Sequence, residues 1–258
     1  MTSPALSSIP SPTVIPFRDI SVNWRGLYLR IRRHPLNVCD TATILKDLRV
    51  FRAEILYAAG RRPEFRAPDG SFVDTHMLDH GAYHLTVHLE PSARPSGYIR
   101  LAPPALTRHF QTRDLLGDDQ FIALLATHRI DQHAVFEHSR LVVAEDARGA
   151  GLGFLMNAAA IATARALGAA GMVGICGMDD GQHQLQQRFG FTVCPDTEHY
   201  STHYQDNVCV ISRRIGDMID EHEDLVNQLH QRIVCRIKDP AKVMAEPPET
   251  VVATGIRE

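Results

Sequence analysis

Hydrophobic and polar positions along this 258-residue chain change period several times, and each change marks an element. Leu27–Ile31 alternates like a strand, and residues 42–59 then repeat at helical spacing, with Ile44, Leu48, Phe51 and Ile55 on one face. Asp40 or Thr41 supplies the N-cap. Two strands are predicted at Tyr83–Leu89 and Gly97–Leu101, and Pro103-Pro104 ends the second. Residues 105–132 read as helical. A strand over 135–144, a glycine-dense turn, an alanine-rich helix over 153–168 and a strand over 171–176 follow. A helix at 182–189 and a strand at 206–213 close the pattern.

Four segments result: a Ser/Pro-rich flexible arm (1–20), a domain (21–213), an amphipathic helix (214–236) and a tail (237–258). In the third segment, Asp220–Asp224 reads as a solvated acidic face. Strands alternating with helices define an α/β (α+β) domain, a mixed central sheet of about six to seven strands flanked by helices, with a C-terminal helical extension.

Composition narrows the function. Apolar content of 44% suits a sizeable core, and a net charge of −3 gives no global basic field for nucleic acid. No apolar run reaches the ~20 residues of a membrane span. Five scattered cysteines without a Cys-x-x-Cys pair indicate neither a zinc site nor a disulfide framework. With no signal-peptide pattern at the N-terminus, a cytoplasmic location is expected.

The richest chemistry lies at Arg148-Gly149-Ala150-Gly151-Leu152-Gly153, between the strand ending Leu141-Val142-Val143-Ala144 and the alanine-rich helix. Such a turn leaves backbone N–H groups open at a positive dipole end, where phosphates bind. Its glycine spacing lacks the position and acidic partner of a dinucleotide fingerprint, and no Gly-Lys-Ser/Thr closes it as in a P-loop. Charged residues also concentrate at strand and loop ends between residues 52 and 140: Arg52, Asp74, Asp79, Arg100, Glu137 and Arg140. They are too many for an unpaired core, so they form either structural ion pairs or a pocket for a zwitterion.

Arg-x-x-Gly-x-Gly at 148–153, with Gly190-Phe191 downstream, resembles the pyrophosphate turn of the GCN5-related N-acetyltransferase (GNAT) superfamily. Gly97-x-x-Arg100-Leu101 and Glu137-x-Ser139-Arg140 resemble its autoinducer-synthase-like branch, which includes N-acyl amino acid synthases and acyl-homoserine-lactone synthases. His84 matches the histidine of an Asp-x-x-x-x-His-Leu stretch in lipid-forming members.

That resemblance implies the GNAT fold and transfer of a fatty acyl group to an amino acid or small amine. The donor would be acyl-phosphopantetheine on acyl carrier protein, a partner, or acyl-CoA. Acetyl-CoA-dependent N-acetylation and lactone synthesis are the alternatives. It makes Glu137, then His84, the expected base, with Asp79 holding the amine. Arg52, Asp74, Arg100 and Arg140 would bind the acceptor. Val142, Val143, Arg148, Gly149, Ala150, Gly151 and Gly153 would hold the donor. Gln186 occupies the position where many acetyltransferases carry an acid tyrosine, and Cys176 is a weak alternative nucleophile.

Overall fold

The computed structural model describes residues 19–33, 42–91, 93–218 and 221–238. The proposed N-cap residues Asp40 and Thr41, most of the N-terminal arm and most of the tail lie outside them. The frame is one nine-stranded sheet in the order β1-β2-β3-β4-β5-β6-β9-β7, with β8 also paired to β9. Its strands are β1 (Ile20–Trp24), β2 (Leu27–Arg33), β3 (Tyr83–His88), β4 (Gly97–Ala102), β5 (Val135–Val143), β6 (Gly171–Gly177), β7 (Thr192–Val193), β8 (His199–Ser201) and β9 (Asp206–Arg214). Every pairing is antiparallel except β5–β6.

The sheet is wider than the pattern predicts, for a local reason. β1 is a five-residue strand closed onto β2 by Arg25-Gly26, both at positive φ, and its start lies inside the expected arm. β7 and β8 hold only two and three residues, too short to show a period.

The helices are α1 (Ala42–Ala58), α2 (Gln111–Leu116), α3 (Asp118–Thr127), α4 (Leu152–Ala166), α5 (Gln182–Gln187) and α6 (Glu223–Lys238). The helical stretch predicted over 105–132 is broken: a 3₁₀ turn covers Pro104–His109, and Gly117 at φ 77° separates α2 from α3. The last helix starts at Glu223 rather than 214: Arg214 still pairs with Gly171 of β6, and the Ile215 N–H donates to the Ala170 carbonyl. Glu223 and Asp224 thus occupy its first turn, where the helix dipole favours acids.

α4 connects β5 to β6 and packs on one sheet face, with α6 over it; Met156, Ala158, Ala159, Ala160 and Ile161 are fully enclosed. A helix covered on two sides must be apolar nearly all round, which explains its alanine content. The opposite face carries α1, whose Leu48 and Phe51 cover Tyr98 and Val142, and a smaller cluster around Phe110, Phe121 and Val173. Ile44, expected on the buried face of α1, is 41% exposed.

Candidate active site

On the α1 face the strand register aligns the charged residues in rows. His84 faces Arg100, which faces Ser139; Thr86 faces Tyr98, which faces Val142. Between Tyr98 and Arg100 the register shifts, because β5 spends three steps, Val142 to Ser139, where β4 spends two. The extra residue is a β-bulge, and Arg140 sits in it at φ 59°. Bulges re-aim side chains near functional sites. Here the bulge sends Arg140 to Asp74, which accepts from Nε at 2.8 Å and Nη2 at 3.3 Å.

Asp79 is the hub. Its carboxylate accepts from Arg52 Nη1 (2.8 Å) and Nη2 (3.0 Å), Arg100 Nη1 (2.9 Å) and Arg49 Nε (2.9 Å). A capping-box contact from the His76 N–H holds it from behind. Burial pushes its pKa up, but Arg52 and Arg100 outweigh that and hold it far below the usual carboxylate range. Arg52 also reaches the Asp74 carbonyl at 2.6 Å, and its Nε lies 3.0 Å from the Asp74 carboxylate, though misaligned for a hydrogen bond. Asp74 is likewise held low: burial raises its pKa, and Arg140 and Arg52 overcome it.

His84 is enclosed and bonded at both nitrogens. Nε2 lies 3.0 Å from the Asp79 carbonyl, which can only accept, so Nε2 carries the proton. Nδ1 then accepts the Tyr98 O–H at 2.8 Å, while the Tyr98 oxygen accepts from Arg52 Nη1 at 2.9 Å. Glu137 is also enclosed. Its Oε2 accepts the Thr112 N–H (2.8 Å) and hydroxyl (2.9 Å), so it caps α2 from the sheet. Burial raises its pKa against those bonds. Through α2 it positions Gln111, whose Oε1 accepts from Arg100 Nη2 at 3.1 Å.

The charged residues picked out along the chain therefore meet in one network. Their geometry differs from the expected roles: neither the Asp79 carboxylate nor the His84 ring has a face open to an amine, and Glu137 lies under α2. The reason is that four guanidiniums brought to one sheet face, Arg49, Arg52, Arg100 and Arg140, need buried acids, and these acids are taken up by them first.

The open side is the fork between β5 and β6. Their parallel pairing covers only Val135–Glu137 against Gly171–Val173, and β5 beyond it has no β6 partner. The Ala144 N–H donates to the Ser96 carbonyl, so strand alternation turns the Val143 N–H to the fork and the Val142 N–H toward β4. Gly149 (φ 80°) and Gly151 (φ 71°) shape the turn into α4, whose first N–H groups have no intrahelical acceptor. Arg148, Gly149 and Ala150 are exposed there.

A cavity of about 70 Å³ opens in the fork, lined by Arg62, His138, Arg140, Cys176, Gln186 and Tyr204 among others. His138 stacks on Phe191 (4.8 Å between centroids), and its Nε2 is enclosed without a partner. Burial pushes its pKa down to about 4. A side chain at Gly174 would meet the His138 ring at 2.6 Å, so glycine is required there for the ring to lie flat. Gln186 donates to Asn157 Oδ1 at 3.0 Å, tying α5 to α4. Burial raises the Cys176 thiol pKa, which opposes the thiolate a nucleophile needs. Arg62 and Tyr204 stand outside every quoted motif, and His138 is the unspecified position inside Glu137-x-Ser139-Arg140; only the fork collects them.

Comparison with protein-family models and with curated proteins finds no match. Solved structures do match. TofI, seen in a ternary complex with an inhibitor and MTA, is 17% identical over 78% of this chain and 98% of its own, at TM-score 0.55. BjaI, a CoA-dependent acyl-homoserine lactone synthase seen with SAM and isopentyl-CoA, is 20% identical over 86% and 94%, at 0.54. The AHL synthase LasI is 12% identical over 75% and 92%, at 0.51. The fold is therefore the GNAT-type fold in its autoinducer-synthase-like form.

Proposed function

We propose that the protein is an N-acyltransferase. It moves an acyl group from a phosphopantetheine thioester, on CoA or on acyl carrier protein, to the amine of a small acceptor. The observation that carries this reading is the β5–β6 fork, which joins an open Val143 N–H, the glycine start of α4 and a polar cavity. The phosphate of the phosphopantetheine arm, a pyrophosphate in CoA, lies against Gly149, Gly151 and Gly153 with Arg148 beside it, and the thioester enters the fork. The Val143 N–H meets the carbonyl oxygen as negative charge develops on it. The amine forms the new C–N bond, the C–S bond breaks, and the amine's proton passes to the departing thiolate. An α-amine with an unperturbed pKa of about 8 is sufficiently neutral near that pH without a strong base.

In this reading Asp79, Asp74, Arg52 and Arg100 build the wall of the acceptor pocket, and Glu137 and His84 position it. Among the finer readings, a lactone-forming enzyme using SAM has the support of the fold matches to TofI, BjaI and LasI. Transfer of a fatty acyl group to an ordinary amino acid, and acetyl transfer, rest on the sequence motifs. A single experiment separates them. Purified protein is incubated with acetyl-CoA, long-chain acyl-CoA or acyl carrier protein, each against SAM and an amino acid panel. Thiol release and product mass are followed, with Gly151→Val as the control that blocks the donor turn. Product with one donor–acceptor pair, lost in Gly151→Val, is expected. No thiol release with any pair overturns the reading.

A further inference from the structure

Five guanidiniums lie around the acceptor wall, Arg49, Arg52, Arg62, Arg100 and Arg140, and its two central acids are the enclosed Asp74 and Asp79. Four of the five are bonded to those acids. The fifth is Arg62. It is 1% exposed, and its guanidinium stacks on the Tyr204 ring, 4.0 Å from the centroid, with Phe65 on another side at 5.4 Å. The acid nearest it, Glu64, is half exposed and only 3.4 Å from Nη1. Nη2 is enclosed and has no hydrogen-bond partner among the described residues. Burial, then Arg140 close by, lowers its pKa, as expected for a cation short of counter-charge. A buried cation with an unmet donor and only a half-exposed counter-charge is costly unless a bound anion completes it.

Arg62 lines the cavity in the fork beside Arg140 and Tyr204. We propose that Arg62 binds the carboxylate of the acceptor, held flat against Tyr204, and so restricts acceptors to amines that carry an α-carboxylate. This assignment rests on the acyltransferase reading for the identity of the acceptor, but the anion site stands on the cavity and the unpartnered Nη2 alone. Arg52, Arg100 and Arg140 are thereby released from that role, since their donors already face aspartates or Gln111. Simple amines, polyamines and α-amides lack the anion and would leave Nη2 unpaired.

The test compares binding and turnover separately. SAM and the twenty amino acids are titrated calorimetrically into wild-type protein, Arg62→Gln and Arg62→Lys, alongside the α-amides of the amino acids that bind. Wild type is expected to bind at least one carboxylate ligand and to bind its α-amide roughly 10- to 100-fold more weakly, the range of a charge-assisted hydrogen bond. Arg62→Gln should lose that discrimination, and Arg62→Lys should keep part of it. Stabilisation by acyl-CoA in each variant reports an intact fold. If Arg62→Gln does not fold, the wild-type acid-against-amide comparison and Arg62→Lys still decide. Equal binding of acid and amide, no binding by any carboxylate ligand, or full discrimination retained in Arg62→Gln overturns the assignment. Thiol release with discrimination unchanged in Arg62→Gln removes this site and leaves the acyltransferase reading standing. Arg62-dependent carboxylate binding without thiol release from any donor does the reverse.

Discussion

Replacing Asp79 by asparagine tests whether the charged network is the keystone of this sheet face. The carboxylate takes four donor contacts from three arginines at 2.8–3.0 Å, with no exposed surface. Asparagine keeps one acceptor but turns an NH₂ toward Arg49 Nε and Arg52 Nη2, and removes the charge that offsets Arg52 and Arg100. Breaking a buried pair from one side costs about 3–5 kcal/mol. At roughly 2–4 °C per kcal/mol for a chain of this size, the melting temperature should fall by about 6–20 °C. Urea and thermal unfolding of wild type and Asp79→Asn would measure it. The pH dependence has a definite sign. The folded pKa lies below the unfolded value near 4, so the unfolded chain takes up the proton first as pH falls. The stabilisation is complete above about pH 5 and is lost progressively below about pH 4, so the gap between wild type and variant should narrow there. A loss under about 1 kcal/mol at pH 7, or a gap that widens on acidification, would refute the reasoning.

Two further perturbations address the fork and the cap. His138 has its pKa lowered from 6.5 to about 4, so the unfolded state binds the proton first and stability falls as pH drops from about 6.5 to 4. That loss amounts to about 3 kcal/mol for this group, and His138→Gln should lessen the slope of stability against pH over that window; an unchanged slope in calorimetric melts rejects the assignment. Glu137→Gln keeps an acceptor for Thr112 and should retain stability within about 1 kcal/mol and turnover within about tenfold, whereas Glu137→Ala should cost about 1–3 kcal/mol by orphaning the Thr112 N–H. A hundredfold drop in kcat for Glu137→Gln, with stability intact, would return Glu137 to the role of base.

Much of the scaffold was legible in the chain because its long elements are strongly periodic. β3, β4, β5, α4 and β6 lie within a residue or two of the expected bounds. What escaped is local. The two-residue β7 has no period to read, and Gly117 interrupts a helical composition through backbone conformation alone. α6 begins late: Arg214 still pairs with β6, and the chain turns after it before the helix starts at Glu223. Around the site, Arg52, Asp74, Asp79, Arg100 and Arg140 could be recognised as a set, since so many charges at strand ends require partners. Which of them faces a ligand was not legible. Arg52 and Arg62 are the same residue type ten positions apart; one faces two buried aspartates and the other only the half-exposed Glu64.

By itself, the sequence determined the order and kind of the main elements, the glycine turn before α4 and the collection of charges between Arg52 and Arg140. Those features depend on neighbours along the backbone: side-chain period, glycine's access to positive φ, and the need of like charges for opposite ones. Tertiary structure alone decided that β5 leaves β6 after Glu137, that a bulge aims Arg140 at Asp74, and that Tyr204, 142 residues beyond Arg62, supplies the platform for its guanidinium. Register and strand splay are set by pairing between distant segments, and no local pattern encodes which donor is left without an acceptor.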